Sequence, residues 1–296
     1  MSRIDEAIRR VKGPGEPDPP ELPAPAAFQP AWTVPETPEE ARVQRLPEAA
    51  VSPTGMLEAP RETGLSISSA WRDRLATGPE ADPALVEQFR RLAGSLHHAR
   101  QTHGLRSVMV TSSGPDDGKT LTSINLALVL AESYRYRVLL IDADLRRPSI
   151  TNVVELAEGS GLSEALHASG PQPLALAQLG PRLTLLPAGR PTMNSIEALV
   201  SPRMRQILDE AMEKFDWVIL DAPPVGPTAD ARLLSQMAGG TLFVVRAGKS
   251  QYPDVKQAIE TVGRDQILGI VLNDVESRPD GGDYYYYAPD APAGRR

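Results

Sequence analysis

Ser112-Ser113-Gly114-Pro115-Asp116-Asp117-Gly118-Lys119-Thr120 follows an apolar run, Val108-Met109-Val110, and precedes a helical pattern from Leu121 to Ala131. Strand, small-residue loop, Gly-Lys-Thr and helix, in that order, form the context a phosphate-binding loop requires. Backbone N–H groups of such a loop point inward at phosphate oxygens, and the helix N-terminus adds partial positive charge. Lys119 is placed to reach the β- and γ-phosphates, and the Thr120 hydroxyl to ligate Mg²⁺. Ser113 stands where the bare pattern has glycine. Taken alone, the motif leaves open a glycine-rich turn with a surface lysine.

Two further segments speak against that turn. Arg137-Val138-Leu139-Leu140-Ile141 leads into Asp142-Ala143-Asp144-Leu145-Arg146-Arg147-Pro148, and Phe215-Asp216-Trp217-Val218-Ile219-Leu220 leads into Asp221-Ala222-Pro223-Pro224. Each puts acidic residues at the C-terminal end of a strand of buried, parallel type, the edge where open α/β sheets bind ligands. A carboxylate facing a phosphate loop holds Mg²⁺ directly or through water. Either Asp alone also reads as a helix cap. Further strands are expected at Ser107 to Thr111, Leu183 to Leu186, Thr241 to Arg246 and Gly269 to Asn273. Helices are expected at Ala84 to Ala99, Leu121 to Tyr134, Ile196 to Lys214, Ala229 to Met237 and Tyr252 to Val262. Apolar strands alternating with amphipathic helices predict a P-loop NTPase-like α/β domain: a doubly wound, mostly parallel sheet covered on both faces.

Together these residues resemble the bacterial tyrosine autokinases that accompany capsule and exopolysaccharide export. The three nucleotide motifs of that family are similar to Val108 to Thr120, Leu139 to Arg146 and Val218 to Pro224, with Asp-x-Asp-x-Arg matched in full. Similarity continues through Gly161-Leu162-Ser163, Leu186 to Gly189, Asn194 to Leu199, Ser201 to Met204 and Leu268 to Asn273, covering roughly residues 84 to 287. The resemblance implies an ATP- and Mg²⁺-dependent kinase that phosphorylates its own tail. Lys119, Thr120, Mg²⁺ and the loop N–H groups would neutralise phosphate charge. Asp142 would position and deprotonate the acceptor, Asp144 would support the acceptor or metal-bound water, and Asp221 would hold Mg²⁺ through water. The metal set is thus Thr120, Asp142 and Asp221. Arg146 either orients these carboxylates, contacts a phosphate or makes a structural salt bridge. The nucleotide set is Ser113, Gly114, Pro115, Asp116, Asp117, Gly118, Lys119, Thr120, Leu121 and Asn273, the last at the place where relatives contact adenine.

Composition sets outer bounds. The chain has 296 residues, 41% hydrophobic, with 29 prolines unevenly spread. It has no cysteine, and His97, His98, His103 and His167 show no metal-ligand spacing. The formal net charge of −7 argues against bulk-charge binding of nucleic acid. No apolar stretch is long enough to cross a bilayer and no signal peptide is expected, so a cytoplasmic protein is anticipated.

The chain divides into four parts. Residues 1–12 read as a short amphipathic helix with Ile4, Ile8 and Val11 on one face, or as a disordered terminus. Residues 13–82 are Pro-rich without sustained period and are expected to be a disordered linker, with Trp32, Leu65, Ile67 and Trp71 as apolar exceptions. Residues 83–280 are expected to be the kinase domain, and residues 281–296 a flexible tail carrying Tyr284, Tyr285, Tyr286 and Tyr287. Alternate rings of such a run would face opposite ways along a strand, so an exposed phosphoacceptor cluster fits better than core. An edge strand or an aromatic partner patch remains the other reading.

On the first domain helix the resemblance implies a Glu-x-x-Arg-x-x-Arg motif for assembly as a homo-oligomer. Glu87 and Arg90 match it, while Ala93 stands at the second arginine. Family precedent also implies a separate membrane adaptor of the polysaccharide co-polymerase type, peripheral placement at the inner membrane face, and a cognate tyrosine phosphatase. Two other functions share parts of the pattern. A partitioning-type switch ATPase carries an extra lysine where this chain has Gly114, and lacks the tyrosines. A silent nucleotide-binding regulator of polysaccharide chain length stays open because of Ala93.

Overall fold

The computed structural model describes Leu57 and residues 60–62, 66–78, 81–156, 159–168, 170, 173–226 and 229–275. The expected N-terminal helix, Trp32, Leu65 and the tyrosine tail lie outside these. Among the described residues the strands are β1 (Arg61–Glu62), β2 (Ser107–Ser112), β3 (Val138–Asp142), β4 (Ala177–Gly180), β5 (Leu183–Leu186), β6 (Trp217–Asp221), β7 (Thr241–Arg246) and β8 (Ile267–Asn273). They form one eight-stranded sheet in the order β1-β4-β5-β3-β6-β2-β7-β8. Every pairing is parallel except β4 with β5. The helices are α1 (Pro83–His103), α2 (Lys119–Glu132), α3 (Ile150–Val153), α4 (Leu162–His167), α5 (Ser195–Leu199), α6 (Pro202–Lys214), α7 (Asp230–Met237) and α8 (Tyr252–Val262).

The central strands read as unbroken apolar runs because both faces are covered. The two-residue period reappears in what each side chain touches. Val108 and Val110 of β2 pack with α1 and α2, whereas Met109 packs with the cluster that includes α4, α5 and α6. Leu140 and Leu139 of β3 divide in the same way. At the far end, Phe243 and Val245 of β7 pack on α8.

Three features differ from the sequence-based expectations. The helix expected over residues 196–214 is two helices, α5 and α6. Ser201 caps α6 by accepting from Met204 N, with Pro202 at the first position of the helix. Proline lacks an N–H and starts a helix far better than it continues one. Strand β4 carried too short a pattern to be expected: four residues, buried and half-buried in alternation, forming a tight hairpin with β5.

The last part of the segment expected to be a linker is packed on the domain. Leu57 is buried in the core cluster on the α6 side, its N–H donating to Glu210 Oε1 at 3.0 Å. β1 then extends the sheet beside β4. Ile67 bridges to Val154, Trp71 rests on the opposite core, and Leu75 is fully buried there. The segment therefore wraps the sheet edge from one face to the other. Asn125, buried in α2, fastens its end: Oδ1 accepts from Ala76 N at 2.6 Å and Nδ2 donates to Arg74 O at 2.9 Å. The anchors enter singly, Trp71 from a short 3₁₀ helix over Ser69–Arg74 that Leu75 ends, and so short a stretch shows no helical or strand period. Leu75→Ala should lower unfolding stability by about 2–5 kcal/mol, as for other fully buried leucines, measured by urea denaturation of the full chain.

Candidate nucleotide and phosphoryl-transfer site

The loop between β2 and α2 carries the first expected motif. Gly118 has φ of +96°, a conformation that favours glycine, and a Cβ there would stand 2.0 Å from Asn273 Nδ2. Asn273, at the end of β8, donates to Asp117 O at 2.9 Å, so its amide supports the loop from below. Asp117 is 5% exposed and points inward. Its Oδ2 accepts from Gly114 N at 3.0 Å and from Ser113 Oγ at 3.3 Å, and its Oδ1 accepts from Ser250 Oγ at 2.8 Å. Asp117 thus staples the loop to the β7–α8 connection. Pro115 and Asp116 form the exposed tip, and Arg246 Nη1 donates to Asp116 O at 3.2 Å. Leu121 packs on the core behind the loop. A groove of about 280 Å³ runs along the loop's outer flank between Asp116 and Lys249, Ser250 and Asp254.

The second and third motifs converge on Lys119. Residues 142 and 221 are direct neighbours in the β3–β6 register, and both carboxylates are fully buried. Lys119 Nζ lies 3.4 Å from Asp144 Oδ2. Asp142 Oδ2 accepts from the N–H groups of Ser149 and Ile150 at 3.2 and 3.1 Å. Asp221 Oδ1 accepts from Ser123 Oγ at 3.1 Å, while its Oδ2 is buried without a hydrogen-bond partner among the described residues. The Thr120 hydroxyl shares a 2.8 Å hydrogen bond with Ser149 Oγ. Burial pushes the Asp142 carboxyl up from 3.8 to about 8, helped by the Asp221 and Asp144 charges and opposed by the two backbone donors. Burial likewise raises Asp221, with Lys119 and the Thr120 and Ser123 hydroxyls pulling it back. Such a cluster suits a hard divalent cation: its donors are all oxygens, and one buried carboxylate oxygen, Asp221 Oδ2, has no hydrogen-bond partner among the described residues.

Arg146 turns away from these carboxylates. Its Nε donates to Asp230 Oδ2 at 2.9 Å, and Ser195 Oγ donates to the same oxygen at 2.7 Å. Of the open readings for Arg146, the salt bridge is the one formed. Glu87 and Arg90 lie on α1, apart from this cluster. Glu87 pairs with Arg91 at 3.3 Å, the Arg90 carbonyl accepts from Tyr134 OH, and Ala93 is fully buried. The third position of the expected assembly motif therefore faces core. Sequence reading missed Ser123, Ser149, Asp230 and Ser250. Ser123 carried a signal, being a hydroxyl one turn after Thr120 on the same helix; Asp230 fell only within an expected helix.

The CobQ/CobB/MinD/ParA nucleotide binding domain model matches residues 108–284. Tyrosine-protein kinase YwqD of Bacillus subtilis is 33% identical over 204 residues, 68% of this chain and 85% of YwqD. The chain belongs to the bacterial tyrosine-protein kinases. The solved kinase domain of the Escherichia coli tyrosine kinase Etk is similar at a TM-score of 0.59 and 31% identity, over 67% of this chain and 80% of that one. Succinoglycan biosynthesis transport protein ExoP of Rhizobium meliloti is 35% identical over 57% of this chain, which spans 22% of ExoP. The protein is thus a nucleotide-binding protein-tyrosine kinase built on a mostly parallel α/β sheet. Among the described residues no helix is long and apolar enough to cross a membrane.

Two outcomes follow for this site. Asp142 has a folded pKa above its unfolded one, so the native state holds the extra proton between about 4 and about 8 and stability falls as pH rises through that window. Thermal denaturation in EDTA should show Tm decreasing from about pH 5 to about pH 8, and Asp142→Asn should flatten much of that slope. Asp117→Ala leaves Gly114 N–H and Ser250 without their partner, so Mg-ATP affinity measured by calorimetry should fall at least ~10-fold.

Proposed function

We propose that this kinase transfers the γ-phosphoryl group of ATP, with Mg²⁺, to its own Tyr284, Tyr285, Tyr286 and Tyr287, and that this controls exopolysaccharide or capsule synthesis and export. The reading is carried by the convergence of Lys119, Thr120, Asp142, Asp144 and Asp221 at the carboxyl edge of the sheet, in a chain whose relatives are tyrosine kinases.

Thr120, Asp142 and Asp221 would hold the Mg²⁺. Bound there, the ion supplies charge neutralisation for the nucleotide phosphates. Lys119 neutralises phosphate charge from the loop side. A tyrosine hydroxyl with a pKa near ~10 needs a base or a cation to attack at neutral pH. Asp142 accepts its proton, and Asp144 keeps Lys119 in place until the nucleotide arrives. Arg146, tied to Asp230, stiffens the acceptor loop, residues 143–149 between β3 and α3, and does not touch phosphate. Asn273 borders the adenine site while holding the loop.

The polysaccharide setting is supported by the relative named for succinoglycan biosynthesis transport. A separate membrane adaptor would hold the kinase at the inner membrane face, a phosphatase would reset the tyrosines, and copies of the chain would associate through Glu87, Arg90 and neighbouring contacts on α1. Purified full-length protein with ATP and Mg²⁺, with and without a candidate adaptor segment, should acquire phosphate on Tyr284 to Tyr287, mapped by mass spectrometry. Lys119→Met and Asp142→Asn should each reduce it at least ~100-fold. ATP hydrolysis without phosphotyrosine, even with adaptor, would instead support a switch ATPase.

A further inference from the structure

Helix α5 buries Ser195, Ala198 and Leu199 and leaves an apolar stripe outside. Met193, Ile196 and Val200 are 76%, 42% and 58% exposed. Ile196 and Val200, four apart, lie on one side of the turn, Val200 keeping helical dihedrals at φ −79° and ψ −6°, and Met193 stands just ahead of the helix's Asn194 cap. One exposed apolar side chain is ordinary, whereas three adjoining ones form a patch. The patch abuts the acceptor loop. Thr192 N donates to Leu145 O at 2.8 Å, and Ser195 Oγ shares Asp230 with Arg146. Its neighbours are therefore the residues that follow Asp142 and Asp144.

We infer that this stripe is the docking surface for the chain's own tyrosine cluster, Tyr284 to Tyr287. The inference rests on the reading of that cluster as phosphoacceptor. The chain leaves β8 at the same sheet edge, and the described residues end at Val275. From β8 to β3 there are four strand intervals, roughly 19 Å. The stretch from Val275 to Tyr284, extended, spans up to roughly 30 Å, enough to cross that edge. Charge agrees: residues 276–283 carry Glu276, Asp280 and Asp283 against Arg278, and the acceptor loop exposes Arg147. Glu197 is the opposing acid on α5.

A phenol suits such a site because its ring is apolar and its hydroxyl lies at the far tip. A ring held on Met193, Ile196 and Val200 keeps the tail beside the residues that follow Asp142 and Asp144. Serine and threonine offer no comparable ring, so the stripe selects tyrosine. In an extended run, alternate rings project to opposite sides, so one tyrosine docks while its neighbour is presented.

The test compares full-length Met193→Ser/Val200→Ser with the parent chain and with the conservative Met193→Leu/Val200→Ile. Both pairs change exposed side chains, and unchanged Tm values would verify folding. For the serine pair the expected result is at least ~10-fold slower phosphorylation of Tyr284 to Tyr287. A synthetic peptide of residues 276–296 should show a higher KM as acceptor, Mg-ATP affinity should hold, and the conservative pair should keep parent rates. Unchanged tail phosphorylation with unchanged peptide KM would overturn the proposal. So would loss of self-association with unchanged peptide KM, which would make the stripe a contact between copies. A parent chain whose tyrosines stay unphosphorylated would overturn the acceptor reading itself, and the docking proposal with it.

Discussion

The β3–β6 register places two carboxylates side by side in a buried site, and much of the surrounding structure answers that constraint. Asp142 and Asp221 are direct neighbours at the ends of adjacent strands, with Asp144 close behind. Like charges so close in a low-dielectric site raise one another's pKa and oppose full ionisation. Lys119, the backbone donors of Ser149 and Ile150, and the Ser123 and Thr120 hydroxyls relieve part of that cost. A divalent cation held there would relieve the remainder.

Placing Lys119 requires a loop that keeps its shape without ligand. Bonds within the loop and from two distant residues, Ser250 and Asn273, provide it. Asp117 binds Gly114 N and Ser250, Asn273 holds Asp117 O, and Gly118 supplies the positive φ that lets Asn273 come close. The acidic residue in the loop is thus structural and need not touch phosphate. On the other side, Asp230 gathers Arg146 and Ser195, so the acceptor loop and helix α5 form one connected unit. Arg146 follows Asp142 and Asp144 in sequence, yet its guanidinium pairs with the buried Asp230.

The wrapped segment from Leu57 to Thr77 serves a different need. β4 is short and antiparallel to its neighbour, and β1 covers its outer edge. Leu75 and Trp71 seal the face above α2, the helix that begins at Lys119. Packing that fixes α2 therefore also fixes the position of the lysine. On α1, Ala93 is buried, so of the three Glu-x-x-Arg-x-x-Arg positions only those of Glu87 and Arg90 carry charge.

The sequence alone determined the alternation of strands and helices, the mostly parallel sheet, and the three segments that meet at the site. These are local properties: apolar runs long enough to be buried on both faces, glycines at a loop, acids at strand ends. It also pointed to Lys119, Thr120, Asp142, Asp144 and Asp221, because each sits at a motif position whose geometry the fold class dictates. Only the tertiary structure decided the rest. Asp230 and Ser250 lie far along the chain from their partners, and no periodicity marks a residue that acts through one hydrogen bond. Leu57, Trp71 and Leu75 anchor their stretch one at a time, with no period between them, so composition read them as linker. The sequence states which residues share an element; which elements touch, and hence where Arg146 spends its charge, is settled by packing.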